Sequence, residues 1–205
     1  MPTRVFILGE VYDENNAVVS VFDRGFLYGD SVYEVTRTAK GIPVDLDRHL
    51  DRLAESAAAI LITPPGKSEL LAAVERTLTA AQNPESYVRI MVTRGAGPLG
   101  LDPALADTPR TIVIVRPLSL PAPELYQEGA SLAVVDVRWN LRRAVDPAVK
   151  SGNYLTNVMA LAKARETGAY EAAMCNVDGT LAEGASSNLF CVQGGVVCTP
   201  PIGQG

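Results

Sequence analysis

Three prolines fall within ten residues in the segment RPLSLPAPEL (116–125), and they fix where this chain cannot be continuous. Proline has no amide hydrogen and a locked φ, so neither a helix interior nor a central strand runs through such a stretch. The pattern also differs on its two sides. Strand and helix signals alternate before it; a strand, a helix and two glycine-turned hairpins come after it. The expectation is a mixed α/β (α+β) chain with one domain over 1–116, a proline-rich linker at 117–123 and a second domain over 124–205.

Within the first part, residues 4–8 and 17–22 read as strands around a turn at 13–16. Ser31–Thr38 reads as a strand stopped by Lys40–Gly41. Leu46, Leu50, Leu53, Ala57 and Ile60 recur at helical spacing behind Asp45, a candidate N-cap, and Pro64–Pro65 end that helix. Ser68 is a candidate cap for a second helix with Leu71, Val74, Leu78 and Ala81 inward. SYVRIMVTR (86–94) alternates, with Tyr87, Arg89 and Met91 on one face and Val88, Ile90 and Val92 on the other. A buried arginine needs a partner, so the first face is either solvated or lines a polar pocket. TIVIV (111–115) has the composition of a buried strand. Beyond the prolines, SLAVVDV (131–137) reads as a strand and 153–167 as a helix closed by Gly168. Hairpins turn at Asp178–Gly179 and Gly194–Gly195.

Several function classes are excluded. The net charge is −5 and no basic run exceeds two residues, which argues against nucleic acid as a partner. No apolar stretch approaches the ~20 residues that span a membrane, and the N-terminus lacks a signal-peptide core. Cys175, Cys191 and Cys198 lack metal-ligand spacing and read as buried free thiols, as in a reducing cytoplasm. His49 is the sole histidine, which weakens histidine-based hydrolysis and zinc chemistry.

The chain has four lysines: Lys40, Lys67, Lys150 and Lys163. Three have surface readings, in a turn, before a helix and in a polar helical stretch. Lys150 instead sits between DPAV and SGNYL at the entrance of a helix, where partial burial can make an amine a nucleophile toward an aldehyde. On position alone it reads equally as an ordinary exposed lysine. Glu183 lies among Gly184, Ala185 and Ser186, small enough for its carboxylate to approach a flat heteroaromatic ring. The bland alternative is a solvated loop glutamate. Arg52 can grip a phosphate with two N–H groups or lie on a solvated helix face. Arg37, Arg89 and Arg94 are candidates for carboxylate recognition. Tyr28, Tyr33, Tyr87 and Tyr154 are candidate hydroxyl donors, though aromatics in strands are more often core.

Five blocks in order strengthen these signals: DRGFLYGDSVYEVTR (23–37), HLDRL (49–53), YVRIMVTRG (87–95), KSGNYLTNVMA (150–160) and EGASSNLF (183–190). Together they resemble the class IV, or fold-type IV, pyridoxal-phosphate enzymes: branched-chain aminotransferases, D-amino-acid aminotransferases and aminodeoxychorismate lyases. The resemblance runs from about Val5 to Thr199. It implies a small N-terminal α/β domain, a linker and a larger C-terminal cofactor domain, in a homodimer. It implies pyridoxal 5'-phosphate as cofactor, with Lys150 as the catalytic, cofactor-linking lysine. Glu183 would lie at the pyridine nitrogen, Arg52 at the phosphate and Tyr154 at the ring hydroxyl. Tyr28, Tyr33, Arg37, Tyr87 and Arg89 would form the substrate side.

The implied reaction exchanges an amino group between an amino acid and a 2-oxo acid such as 2-oxoglutarate. Tyr87-Val88-Arg89 resembles the branched-chain enzymes. Val32-Tyr33-Glu34-Val35 and the Lys150-Ser151-x-Asn153 spacing are closer to the D-amino-acid type. The alternatives are a lyase on the same scaffold and a catalytically silent binding or regulatory protein. Family members continue beyond the TPPIGQG at which this sequence stops, with a glycine-rich turn and helix N-terminus for the phosphate. The expectation is that the C-terminal part is missing and that the chain alone holds the cofactor weakly.

Overall fold

The computed structural model describes residues 2–138, 146 and 148–201. The chain divides into two compact units, Met1–Leu120 with Val149–Gly152, and Pro121–Ala148 with Asn153–Gly205.

In the first unit the elements are β1 (Arg4–Ile7), β2 (Glu10–Asp13), α1 (Arg24–Tyr28), β3 (Ser31–Ala39), β4 (Ile42–Pro43), α2 (Leu46–Ala59), α3 (Lys67–Ala81), β5 (Ser86–Thr93) and β6 (Arg110–Pro117). The strands form one antiparallel sheet in the order β2-β1-β6-β5-β3-β4. Alternation decides which face is covered. Val32 on β3, Val88, Ile90 and Val92 on β5, and Val113 and Val115 on β6 meet Leu50, Leu53 and Ala57 of α2 and Leu70, Ala73 and Val74 of α3. Burial of this apolar surface is the main force holding the helices to the sheet. The opposite face carries a smaller cluster of Val5, Ile7 and Ile112 under Met91 and Ile114. Farther along, that face becomes polar.

Four local expectations are corrected. Residues 17–22 are not a strand: β1 turns at Leu8 and Gly9, both with positive φ (54° and 86°), and returns as β2. That is the backbone of a two-residue primed hairpin, disguised in the sequence by an unusual leucine at its first position. Asp45 precedes α2 in a left-handed conformation and makes no side-chain cap, and α3 starts at Lys67 behind Gly66 rather than behind Ser68. The inward row of α3 is consequently Leu70, Ala73, Val74, Thr77 and Ala81, while Leu71 is exposed. Cys175 is buried, but Cys191 and Cys198 are exposed.

The second unit contains α4 (Pro123–Gln127), β7 (Leu132–Arg138), α5 (Leu155–Glu166), β8 (Glu171–Cys175), β9 (Leu181–Gly184), β10 (Cys191–Gln193) and β11 (Val196–Cys198). Strands β7 and β8 run parallel, and β9 pairs antiparallel with β8. Parallel neighbours need a long crossover, and α5 lies within it. Ala160 and Ala164 of α5 pack on Ala172, Met174 and Val135. These are mostly small side chains, so the helix sits close to the sheet. Among the described residues no helix is long and apolar enough to cross a membrane.

Candidate active site

Lys150 belongs to a short extended strip laid along the first half of β3. The Tyr33 amide donates to the Lys150 carbonyl (2.9 Å), the Gly152 amide donates to the Ser31 carbonyl (2.8 Å), and Val32 faces Ser151 as an antiparallel bridge. From the other side the Lys150 amide donates to Ser56 Oγ on α2 (3.3 Å). The strip lies close enough that a Cβ on Gly152 would fall 2.3 Å from Ser31 Oγ and 3.2 Å from the Gly29 carbonyl. Lysine and glycine two residues apart therefore have separate jobs: the glycine admits the close approach, and the lysine projects from a fixed backbone.

The half-buried Lys150 side chain places Nζ 4.8 Å from the ring centre of Tyr33, and the Arg89 guanidinium carbon lies 3.9 Å from the same ring. Aromatic faces attract cations, so one ring orients two positive groups. Tyr33 and Arg89 point away from the α2/α3 face. Register sets Arg37 opposite Tyr87, whose ring is 4.7 Å from the Arg116 guanidinium. Tyr33, Arg37, Tyr87, Arg89 and Lys150 are thus brought to one cationic, aromatic side of the sheet. Such a surface suits a carboxylate-bearing ligand.

Tyr28 sits elsewhere in this unit. Its hydroxyl accepts from the Gly100 amide (3.2 Å), and its ring lies 5.0 Å from Arg24. Arg94, a candidate for carboxylate recognition, is already committed internally. It donates to both oxygens of Asp30 (2.7 and 3.0 Å) and to the carbonyls of Leu61 (2.8 Å) and Ile60 (2.7 Å). Arg94 is a buried strut between β5 and the end of α2, a correction the alternation could not supply because the partner, Asp30, is distant in sequence. Burial pushes the Asp30 carboxyl up, but hydrogen bonds and charge from Arg94 and Arg24 outweigh it and hold the group below its ordinary range.

Arg52 and His49 converge from one flank of α2 on Glu34, a fully buried residue of β3. Arg52 Nε donates to Glu34 Oε1 (2.5 Å), Nη2 donates to Oε2 (2.7 Å), and His49 Nδ1 lies 2.8 Å from Oε2. Burial raises the Glu34 carboxyl, yet the bonds from Arg52 and His49 leave it below the usual carboxylate range. This flank faces an open depression lined by acids (Asp45, Asp51, Glu55) and bases (Arg48, His49, Arg52) alike. Glu34 was not a sequence candidate. The available signal was its even position between Val32 and Thr36, on the face that turns to the helices.

In the second unit, Tyr154 is the residue before α5, and its carbonyl accepts from the Val158 amide (3.0 Å). Glu183 lies on β9 opposite Met174 and is half-buried. The turn after it is tightly built. The Gly184 amide donates to the Ser187 carbonyl (2.7 Å), where a Cβ on Gly184 would stand 2.8 Å from that same oxygen. Asn157 Nδ2 of α5 donates to the Ala185 carbonyl (2.9 Å), and Ser186 and Ser187 donate to Glu171. Burial raises the Glu171 carboxyl, but the Ser186 and Ser187 hydroxyls and the Ala172 amide hold it below its ordinary range. The small residues of EGASSNLF thus build a rigid turn that displays Glu183.

The model of the family Amino-transferase class IV matches residues 31–205. A putative branched-chain-amino-acid aminotransferase of Methanocaldococcus jannaschii is 39% identical over 202 residues, spanning 98% of this chain and 69% of the relative. A D-alanine aminotransferase of Bacillus licheniformis is 32% identical, over 97% and 69%. The crystal structure of a branched-chain aminotransferase of the archaeon Thermoproteus uzoniensis, solved with norvaline, superposes with a TM-score of 0.90 at 29% identity. It covers all of this chain, which spans 70% of that structure.

Proposed function

Because the chain belongs to the class IV aminotransferases, we propose that it moves amino groups between branched-chain-type amino acids and 2-oxo acids such as 2-oxoglutarate, with Lys150 as its catalytic residue. The enzyme is a pyridoxal-phosphate-dependent transaminase of mixed α/β fold. The donor set fits that cofactor. Lys150 offers an amine for the aldehyde, Arg52 a guanidinium for the phosphate, Glu183 a carboxylate for the pyridine nitrogen and Tyr154 a hydroxyl for the ring oxygen. When bound, pyridoxal phosphate supplies the aldehyde carbon and an electron-accepting ring.

The chain's own residues do the rest. Lys150 Nζ would hold the cofactor through its aldehyde carbon and, with the substrate in place, would take and return the proton at the substrate Cα. Its backbone is clamped between β3 and Ser56, so the amine starts from a fixed point. Glu183 would pair with the pyridine nitrogen and keep it protonated. Tyr33, Arg37, Tyr87 and Arg89 orient the substrate carboxylate, and Tyr28 serves the substrate side by holding the 100–101 loop. The observation that carries the reading is the seating of Lys150 on the cationic, aromatic side of β3 and β5.

A branched-chain substrate is favoured because the relative named for it is more similar than the D-alanine enzyme and because Tyr87 and Arg89 share one face. A homodimer is favoured by exposed apolar side chains near one another in the first unit. Phe26 is 67% exposed, and Phe22, Leu99 and Leu101 flank the contacts joining residues 22–28 to 97–101. Three free thiols support a reducing, cytoplasmic setting. The test is glutamate production from 2-oxoglutarate with L-leucine, L-valine or D-alanine as donor. Faster turnover with the L-branched donors supports the reading; preference for D-alanine reassigns the substrate; no glutamate from any donor overturns it.

A further inference from the structure

Glu34 is an expensive residue for this fold to carry. Its side chain has no solvent exposure, on a strand face otherwise given to the core, and an unpaired carboxylate there would be strongly destabilising. Both of its oxygens are satisfied by one flank of α2, through Arg52 in a two-point grip and His49 beside it. The grip engages Nε and Nη2 of Arg52, which fixes the guanidinium plane, while the side chain stays 49% exposed. His49 Nδ1 donates to the same carboxylate oxygen that Arg52 Nη2 holds, and so lies beside the guanidinium at 3.4 Å. A buried carboxylate that grips a half-exposed arginine at two points sets the orientation in which that guanidinium can meet an anion.

We propose that Glu34 is a positioning residue for the cofactor phosphate: it locks the Arg52 guanidinium in the orientation that receives the phosphate, with His49 as a brace. This rests on the reading of Arg52 as the phosphate ligand. It also makes a counterintuitive demand. Removing a negative charge beside the phosphate site should, on charge alone, tighten phosphate binding. If orientation dominates, removal weakens it.

The sign of the effect decides between them. The intact protein, stripped of cofactor, is titrated spectroscopically with pyridoxal phosphate and with pyridoxal, which lacks the phosphate. The ratio of the two dissociation constants measures phosphate preference. Glu34→Gln is expected to lower that preference roughly 10-fold or more, the scale typical of residues that orient a ligand, with pyridoxal binding unchanged. In an Arg52→Ala background it should add nothing. Unchanged or increased preference in Glu34→Gln overturns the proposal, as does an equal loss for both compounds. If Glu34→Gln does not fold, Glu34→Asp keeps the charge but retracts it by one methylene; it too must lower the preference, and an unchanged value overturns the proposal. Preference that survives Arg52→Ala would instead overturn the reading of Arg52.

Discussion

Replacing Arg94 with methionine should unfold the first unit far more readily than a surface substitution would. The arginine is 7% exposed and makes four side-chain hydrogen bonds, two to the Asp30 carboxylate and two to the carbonyls of Ile60 and Leu61. Those carbonyls belong to the end of α2, where no intrahelical partner remains. Methionine approximates the aliphatic stem but strands the carboxylate with Arg24 as its remaining guanidinium partner at 3.1 Å. Removing one member of a buried pair costs about 3–5 kcal/mol. With a urea slope of about 2 kcal/mol per molar, the midpoint falls by about 2 M. Chemical denaturation followed by far-UV dichroism measures this. A loss below about 1 kcal/mol would refute the strut assignment and return Arg94 to the substrate candidates.

Two further outcomes follow from the same geometry. Asp30, Glu34 and Glu171 are each held below their ordinary range, so the stability they confer is complete above about pH 5 and is lost as pH falls through their lowered folded values. Acid titration of unfolding should show this limb, and Glu34→Gln should flatten it; an unchanged limb contradicts the pairing. Asn157→Leu leaves the Ala185 carbonyl without its buried donor, and should destabilise the second unit by about 1–3 kcal/mol and weaken cofactor binding. Wild-type-like unfolding and affinity would show that the turn beyond Glu183 stands without this bond.

Much of the architecture was readable because hydrophobic period and fold agree. The buried rows of α2 and β5 are the ones that spacing gives, since Leu50, Leu53, Val88, Ile90 and Val92 face a common core. What was hidden depends on partners distant in sequence or on backbone angles. Nothing local marks Leu8 for a left-handed turn or shifts α3 by one position to bury Leu70. Single positions could not separate Arg94 from Arg89: both lie at the end of or along the same strand, but one meets Asp30 and the other meets Tyr33. Glu34 was hidden for a related reason. A charged residue at a core position is legible only when its partners, His49 and Arg52, are known to reach it. The exposure of Cys191 and Cys198 escaped because strand-like composition alone does not say which strands are covered.

The central claim is that Lys150 links the cofactor. Pyridoxal phosphate added to the purified protein, followed by borohydride reduction and peptide mass mapping, tests it directly. The account predicts a visible absorbance band that reduction abolishes, and a single pyridoxyl adduct on Lys150. No band, or adducts spread over Lys40, Lys67 and Lys163 with Lys150 unmodified, would contradict it.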